Sequence, residues 1–329
     1  MVTMVQLAFL GDLMLGRGVS RQLAHHPPEW FLGDVMPVLR GATAVFANLE
    51  SPITASSEKW RHGWKLFHFR ANPSAIRILE RANVRFVCLA NNHMLDFGPP
   101  GLNDTLKALD AAGIHHAGAG HSTAEAAAPV LVPLPGLNIG AIAATDNMRE
   151  FAATPDRPGT NFLEFDATPQ SLDWIARSVS ALRRQGSELI VLSVHWGPNM
   201  RRKPSPSFRR FAHAAIDCGV DILHGHSAHV VHGIERRGNG IILYDTGNFI
   251  DDYWKFPFRK TTWSFVFLLD VEGGRPRRVT LRPVHIHSSP LGLATGETFT
   301  AITANMKTLC ATLGTEATLT EQGLEIALD

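Results

Sequence analysis

The chain of 329 residues has few cysteines, no excess of either charge and no long uncharged apolar run. Cys88, Cys218 and Cys310 lie far apart in apolar surroundings, which favours buried free thiols over disulfides or a thiolate metal site. The 31 Lys and Arg residues nearly balance the 30 Asp and Glu residues, so neither nucleic acid nor an anionic membrane is expected as the main partner. No window approaches the roughly 20 uncharged apolar residues of a membrane-spanning helix.

The first residues, MVTMVQLAFLGDLMLGRG, also lack the features of a secretory signal. No basic region precedes their apolar segment and Asp12 interrupts it, so we expect a cytoplasmic protein. Apolar residues make up 45% of the chain and charged residues 19%, as in folded globular proteins. Histidine is the unusual component, because four of its 16 residues fall within the segment 224–232.

Apolar runs that are typical of buried strands alternate with segments of helical spacing. Strands are predicted at 4–11, 43–48, 84–90, 128–134, 137–144, 188–194 and 220–223. Helices are predicted at 33–40, 73–82, 101–113, 169–185 and 206–218. After residue 260 the predicted elements are strands at 263–272 and 277–287 and a helix near 300–313. This alternation predicts an α/β fold with a β-rich C-terminal portion.

Residue types that bind metals recur where the predicted strands end. They are Asp12, Asn48 and Glu50, Asn91 to His93, His195, and His224, His226 and His229. Ligands of open α/β sheets gather outside the carboxyl ends of the strands, so we expect these five loops to converge on one crevice. Single residues of these types often form caps or turns, but their recurrence at five strand ends favours a shared site.

The predicted chemistry is that of a dinuclear metal centre. Two divalent cations about 3.5–4 Å apart need a bridging carboxylate, with imidazoles and oxygen ligands around it. Asp12 and Glu50 supply the negative charge. Mixed Asp, Glu, Asn and His ligation without cysteine suits Mn²⁺, Fe or Zn²⁺, and the sequence does not choose among these three.

Six motifs in order along the chain resemble those of the CapA family, which is linked to poly-γ-glutamate capsule synthesis. They are GDLMLGR, FANLESP, LANNHMLDFGPPGLNDTL, VHWGPN, HGHSAHVVHGIE and LYDTGNF. The family belongs to the calcineurin-like metallophosphatase superfamily, and the similarity runs from about residue 5 to about residue 255. The resemblance implies a four-layer αββα sandwich of the metallophosphatase type with a two-metal site between paired sheets. We expect this domain at residues 1–290, followed by a C-terminal tail with a short helix at 291–329.

The resemblance also implies roles for the residues that match the family's motifs. Asp12 resembles the first aspartate ligand, and Glu50 stands where these enzymes place the bridging carboxylate. Asn92 resembles a metal ligand, and His93 resembles the histidine that contacts the phosphoryl oxygen or the leaving group. His93 and Asp12 are therefore the candidate catalytic residues, and His195 resembles the lone histidine ligand of the fourth motif.

The chain departs from the superfamily pattern in its first, second and last motifs. Met14 replaces the histidine of the usual Asp-x-His, and the second-motif carboxylate is Glu rather than Asp. In the last motif His226 is the best candidate ligand, but Ala228 occupies the position where a second ligand is usual. Either His224 or His229 could compensate for the missing imidazole.

Basic and amide side chains near these motifs are the candidate substrate-binding residues. Arg201 and Arg202 belong to a basic run directly after His195, which either is a solvated charged face or clamps an anionic substrate. Asn91 and Arg17, which lie within the quoted motifs, are further candidates.

Two other segments carry open alternatives. Asp245 and Asn248 either form a plain turn or hydrogen-bond a ligating imidazole and so fix its tautomer. The loop 56–70 mixes aromatic and basic residues, among them His62 and Trp64, and forms a pocket rim or lid or simply packs down.

Together these features predict a metal-dependent hydrolase, in the first place a phosphoesterase with two divalent cations. The expected partner is an anionic small-molecule or polymer substrate, either a phosphoester or a poly-γ-glutamate-like chain. Two alternatives use the same residues: hydrolysis of a γ-glutamyl or other amide, and non-catalytic binding of a polyanion during capsule polymer synthesis. The oligomeric state cannot be read from the sequence.

Overall fold

The computed structural model of the protein describes residues 4–61, 63, 65–253, 260–286 and 289–328. Its strands are β1 (Met4–Leu13), β2 (Ala44–Leu49), β3 (Val84–Cys88), β4 (His115–Ala117), β5 (Ala119–Gly120), β6 (Val130–Leu134), β7 (Leu137–Thr145), β8 (Gly159–Thr160), β9 (Leu189–His195), β10 (Ile222–His226), β11 (Ile234–Arg237), β12 (Gly240–Leu243), β13 (Asn248–Ile250), β14 (Trp263–Glu272), β15 (Arg275–His285), β16 (Gly292–Leu293), β17 (Thr318–Thr320) and β18 (Gly323–Ala327). Its helices are α1 (Arg17–Gln22), α2 (Pro28–Leu32), α3 (Met36–Gly41), α4 (Ile76–Arg81), α5 (Gly98–Ala111), α6 (Thr123–Ala126), α7 (Pro169–Arg184), α8 (Pro206–Asp217) and α9 (Gly296–Ala311). Short 3-10 turns lie at Gly33–Val35, Pro73–Ala75 and Arg149–Phe151.

Two large sheets carry the fold. In the larger sheet the order is β17-β18-β15-β14-β1-β2-β3-β4, with β13 beside β1 and β16 beside β15. In the smaller sheet the order is β11-β12-β10-β9-β7-β6. The neighbours β1, β2 and β3 are parallel, and so are β7, β9, β10 and β12. Each sheet therefore brings several carboxyl ends to one edge.

The alternation of side chains along the strands builds four layers. Leu7 and Phe9 of β1 lie in the core between the two sheets, whereas Ala8 lies in the core beneath α2 to α5. On the smaller sheet, Val191 of β9 faces the same inner core, and Ile190 faces the core beneath α7 and α8. Each strand of this kind is buried on both faces, which explains why the sequence shows continuous apolar runs there. The predicted α/β sandwich is confirmed.

The predicted elements are present, and the largest shifts in their ends have physical reasons. Helix α5 begins at Gly98, three residues before the predicted start. Strand β10 extends to His226 instead of ending at residue 223, because His224 and His226 pair with Ser193 and His195 of β9. The apolar pattern stops at residue 223, but the backbone ladder continues through the histidines.

The C-terminal part of the chain adds to the larger sheet. The hairpin of β17 and β18 pairs with β15, and Ile302, Met306 and Cys310 of α9 pack into the inner core. The division of the chain at residue 290 stays a prediction, and residue 287 of the predicted strand 277–287 lies outside the described residues.

Two further predictions concern cysteines and membrane helices. The three cysteines are free thiols, as predicted. Cys88 and Cys310 are buried, but the predicted burial is wrong for Cys218, which is half-buried near the end of α8. Within the described ranges no helix combines the length and the apolar character needed to cross a membrane.

Candidate metal centre

The candidate centre lies where the two sheets bring their carboxyl ends together. In the larger sheet Asp12 of β1 pairs with Asn48 of β2, and Glu50 follows β2 directly. In the smaller sheet His195 of β9 pairs with His226 of β10. The register of two parallel pairs therefore places four of the polar residues side by side, and all are buried.

The Asp12 carboxylate faces two groups of donors, one with each oxygen. Its Oδ1 lies 3.9 Å from Nδ1 of His195 and 3.8 Å from Nδ1 of His226. These two ring nitrogens lie 2.9 Å from each other. Its Oδ2 lies 3.3 Å from Nδ1 of His229. We call Asp12, His195 and His226 the first donor set.

The second donor set consists of Asp12, Glu50 and His229. Oε1 of Glu50 lies 3.9 Å from Nε2 of His229, and Oε2 of Glu50 accepts a hydrogen bond of 2.8 Å from the Tyr253 hydroxyl. Asp12 is thus the residue common to both sets, whereas family resemblance gave the bridging place to Glu50. Asp12 therefore lies between the two groups of imidazoles, and the bridging role of Glu50 stays a prediction.

His229, not His224, is the additional imidazole in the candidate donor sets. Nε2 of His224 donates to the Leu10 carbonyl at 2.8 Å, and Nδ1 of His224 lies 3.2 Å from the Ser193 hydroxyl. Both nitrogens of His224 are therefore engaged within the protein. The Ser193 hydroxyl also lies 3.0 Å from Nε2 of His226.

This chain of hydrogen bonds assigns the tautomer of His226. Because Nε2 of His224 carries the hydrogen donated to Leu10, its Nδ1 accepts from Ser193. The Ser193 oxygen then accepts from Nε2–H of His226, which leaves the lone pair on Nδ1 of His226. That lone pair faces Asp12, as a metal ligand in the first donor set requires.

The electrostatics differ between the two donor sets. Burial lowers the pKa of His195 to about 3 and lowers the pKa of His226 well below its ordinary value, so both rings are neutral. Burial alone would raise the pKa of Asp12, but its ion pair with the protonated His229 and the hydrogen bond from Asn48 hold that pKa below its usual value. Burial and the Asp12 charge raise the pKa of Glu50 to about 8. Burial opposes the charge of His229, but Glu50 and Asp12 together raise its pKa to about 10.

These residues fit divalent cations. Oδ2 of Asp12, Oε1 of Glu50 and Oδ1 of Asn92 are buried and have no hydrogen-bond partner. A buried carboxylate oxygen without a partner is costly unless a cation or donor meets it. Within each donor set the ligand atoms lie within 4.8 Å of one another. Oxygen and imidazole donors without thiolate suit Mn²⁺, Fe or Zn²⁺.

Asn48 and Asn91 support the carboxylates rather than face a ligand. Nδ2 of Asn48 donates to Oδ1 of Asp12 at 2.8 Å. Asn91 donates to Oδ1 of Asn48 and to the Leu49 carbonyl, and its own Oδ1 accepts from the His93 amide. The Asn91 side chain is fully buried and its polar atoms are engaged in this way, so its geometry does not support the predicted contact with substrate.

His93 lies in a second wall of the centre. Nδ1 of His93 lies 2.7 Å from Oδ2 of Asp96, and the Phe69 ring stacks on His93 with centroids 4.0 Å apart. Lys65 forms a buried ion pair of 3.2 Å with Asp96 and donates to the Asn92 carbonyl at 2.6 Å. The loop 56–70 therefore packs onto the centre through Lys65 and Phe69, while His62 and Trp64 lie outside the described residues.

The predicted basic residues occupy different places. The Arg17 guanidinium lies 5.6 Å from the centroid of the Phe69 ring and forms an ion pair with Asp252, so Arg17 lies near the His93 wall. Arg201 is exposed, and its carbonyl accepts from Nε2 of His232. Arg202 lines a groove that does not include either donor set.

Of Asp245 and Asn248, only Asn248 contacts an imidazole of the candidate centre. Asn248 makes the predicted contact with an imidazole, since its Oδ1 lies 2.8 Å from Nδ1 of His229. Asp245 accepts instead from the backbone amides of Ala228 and Gly247, both at 2.8 Å. Asp245 therefore shapes the loop that carries the histidines, and Ala228 contributes its amide where the superfamily has a ligand.

Comparison with known proteins shows the family of the chain. A family model described as bacterial capsule synthesis protein PGA_cap matches residues 6–253. The chain belongs to the PGA_cap family. The predicted resemblance to CapA proteins is confirmed, and Asp12, Glu50, His195, His226 and His229 all lie within the matched segment.

Curated relatives of this PGA_cap protein have related names. It is 30% identical over 248 residues to the capsule biosynthesis protein CapA of Bacillus anthracis, a match that covers 75% of this chain and 59% of that protein. It is 34% identical over 282 residues to a probable polyglutamine synthesis accessory protein of Mycobacterium tuberculosis (strain ATCC 25618 / H37Rv), a match that covers 74% of this chain and 73% of that protein. It is 27% identical over 285 residues to the PGA biosynthesis protein CapA of Bacillus subtilis (strain 168), covering 86% and 72%. The chain thus spans less than two thirds of the B. anthracis relative.

Sequence reasoning missed several residues of the PGA_cap centre. Asp96 lies three residues after His93, and that short spacing between a histidine and an acid is a signal that could have been used. Tyr253 reaches the centre from a loop with no ligand pattern, and Ser193 is one polar residue in an apolar strand. Lys65 belongs to the loop 56–70, for which the sequence had left a pocket rim as one alternative. Their roles follow from tertiary contacts.

Proposed function

We propose that this protein is a phosphoesterase that uses two divalent cations, one in each donor set. The observation that carries the proposal is the placement of Asp12, whose two oxygens face two separate groups of buried donors. A shared carboxylate between two such groups is the arrangement that two-metal hydrolases use. Mn, Fe or Zn ions suit the donors.

The chain's own residues would prepare the site. Metal ligation needs neutral imidazoles and ionised carboxylates, and His195, His226 and Asp12 are already in those states. Glu50 and His229 must each lose a proton, because their pKa values are raised. When bound, the two cations would lower the pKa of a water molecule and polarise the phosphoryl oxygens. Asn92 would add its free amide oxygen.

His93 is the proposed proton carrier for the leaving oxygen. Asp96 accepts from Nδ1–H of His93, which leaves Nε2 as the ring nitrogen available to substrate. Burial and the Lys65 charge lower the pKa of His93 well below its ordinary value, so the resting ring is neutral. His93 therefore must take up a proton at Nε2 before it can donate one to the leaving oxygen or stabilise negative charge there. Arg17, on the far side of Phe69, is the nearest predicted anion-binding residue to this wall.

A second candidate function has its own support. Arg202 and Lys260 line a groove of about 430 Å³ whose other walls include Met200, Val230 and Leu309. The loops that carry Met200 and Val230 follow His195 and His226, and no acidic residue lines the described part of the groove. Two of the relatives are named for capsule or PGA biosynthesis, and the family resemblance links such proteins to poly-γ-glutamate, an anionic chain with aliphatic segments. Hydrolysis of a γ-glutamyl or other amide, or non-catalytic binding of such a polymer, would use this groove.

One experiment separates these functions. The protein purified with Mn²⁺ is assayed in parallel on an aryl phosphodiester and on a γ-linked glutamate oligomer. We expect phosphodiester hydrolysis that is lost in Glu50→Ala and His195→Ala and kept in His25→Ala, whose side chain is exposed. Cleavage of the oligomer alone would favour the amidase, and binding of the oligomer without cleavage would favour the polymer-binding role. Phosphodiester hydrolysis that survives in both ligand variants would refute the assignment of the donor sets.

A further inference from the structure

The second donor set holds Glu50 in an asymmetric way. Oε2 of Glu50 accepts from the Tyr253 hydroxyl at 2.8 Å, whereas Oε1 is buried without a hydrogen-bond partner. Oε1 is also the oxygen nearest His229, at 3.9 Å from its Nε2. One oxygen of Glu50 is thus occupied by the protein, and the other remains for a ligand.

Tyr253 is itself fixed on several sides. Its backbone amide donates to Oδ1 of Asp251 at 2.8 Å. Its ring packs edge-on against the His229 ring, with centroids 5.2 Å apart, and lies 5.6 Å from the Phe69 ring. The residue before it, Asp252, accepts from the Gly18 amide at 2.7 Å. These contacts hold the hydroxyl where it meets Glu50, so the hydrogen bond does not depend on a mobile side chain.

We infer that Tyr253 is a positioning residue that makes Glu50 a one-oxygen ligand and thereby determines whether the second donor set retains its cation. Rotation of the Glu50 carboxylate would break the hydrogen bond from the Tyr253 hydroxyl, so this bond favours the rotamer that keeps Oε2 at Tyr253 and presents Oε1 to a ligand. Without the hydroxyl, Glu50 could rotate or use both oxygens. This inference rests on the proposed two-metal centre.

The test is Mn²⁺ binding to the full chain, measured by titration calorimetry and by metal content after gel filtration. We expect Tyr253→Phe to bind the cation of the second donor set about 10- to 100-fold more weakly, the usual cost of losing a hydrogen bond to a metal ligand. Its affinity for the cation of the first donor set should stay within about twofold of the wild-type value. The electron paramagnetic resonance spectrum should change from that of a coupled Mn²⁺ pair to that of a single ion.

The chain offers a matched control, since it contains two tyrosines. The Tyr244 hydroxyl donates to Oε2 of Glu235 at 2.6 Å, a bond 0.2 Å shorter than that of Tyr253 and made to a carboxylate outside both donor sets. Tyr244→Phe should retain both cations. If Tyr253→Phe also retains both with wild-type affinity, or if Tyr244→Phe loses the second cation equally, the inference is wrong.

A double-mutant cycle covers the case in which Tyr253→Phe perturbs the fold. If Tyr253 acts through Glu50, Tyr253→Phe added to Glu50→Gln should change Mn²⁺ affinity by less than about twofold. A further large loss in that background would show a general structural effect and overturn the inference. Wild-type protein that binds no cation would instead contradict the proposed function, so the two failures are distinguishable.

Discussion

Cation binding to the two donor sets should differ in the number of protons released. The perturbation is the addition of Mn²⁺ to chelator-treated protein near neutral pH. In the first donor set His195 and His226 are neutral and Asp12 is ionised, because burial lowers the pKa of both imidazoles and His229 lowers the pKa of the carboxyl. Filling this set should therefore release no net proton.

The second donor set should release about two protons near pH 7. Burial and the charge of Asp12 raise the pKa of Glu50 to about 8, and Glu50 with Asp12 raises the pKa of His229 to about 10 although burial opposes it. Both groups are protonated below these values, whereas a ligand must be deprotonated. Affinity for the second cation should accordingly rise with pH, by about a hundredfold per unit below pH 8 and about tenfold per unit between pH 8 and pH 10.

Titration calorimetry in two buffers of different ionisation enthalpy measures this difference, because released protons are taken up by the buffer. We expect one binding step whose heat is the same in both buffers and one whose heat changes by about two buffer ionisation enthalpies. Glu50→Gln should keep the buffer-independent step. If both steps have the same heat in the two buffers, the protonation states assigned to Glu50 and His229 are wrong.

Three substitutions test other parts of the centre. Asp12→Asn alters the residue common to both donor sets, so it should weaken the binding of both cations by at least about a hundredfold, measured as the metal content of the purified variant. Selective loss of one cation would contradict the placement of Asp12 in both sets. Ser193→Ala removes the hydroxyl that accepts from Nε2–H of His226. It should weaken cation binding to the first donor set about tenfold, measured by competition with a chelating dye, and unchanged affinity would contradict the assigned tautomer of His226. Lys65→Met removes the ion-pair partner of Asp96, whose pKa burial raises to about 7, and should lower the free energy of unfolding in urea by about 1–3 kcal/mol, measured without metal. A change below about 0.5 kcal/mol would show that the ion pair adds no net stability.

The fold was predictable from the sequence because its strands are buried on both faces. Apolar runs such as 4–11 and 188–194 leave few alternatives to a buried parallel strand, and the polar residues at their ends follow from the same pattern. The place of Asp12 in both donor sets was not predictable. Which carboxylate lies between two imidazole groups depends on the distance between two sheets, and that distance is set by side chains far apart in the chain.

The choice between His224 and His229 shows the same limit. Both follow an apolar strand, and both are histidines of one motif. Pairing of β10 with β9 continues through His224 and turns its ring toward Leu10, whereas His229 lies in the loop beyond the strand at a φ of 59°. Alternation along a strand and the path of a loop separate two residues that look equivalent in the sequence.

The contact between His224 and the Leu10 carbonyl has a consequence for the protein before any ion arrives. It joins the backbone of β1 to a side chain of β10, and so acts as a spacer between the two sheets close to Asp12. Small zinc domains stay unfolded until their ion binds, but here a hydrogen bond and a packed core already keep the sheets in place. Cations should therefore bind to a site that is already formed, with little change in circular dichroism or heat capacity. The metal-free protein should be isolable as a folded species.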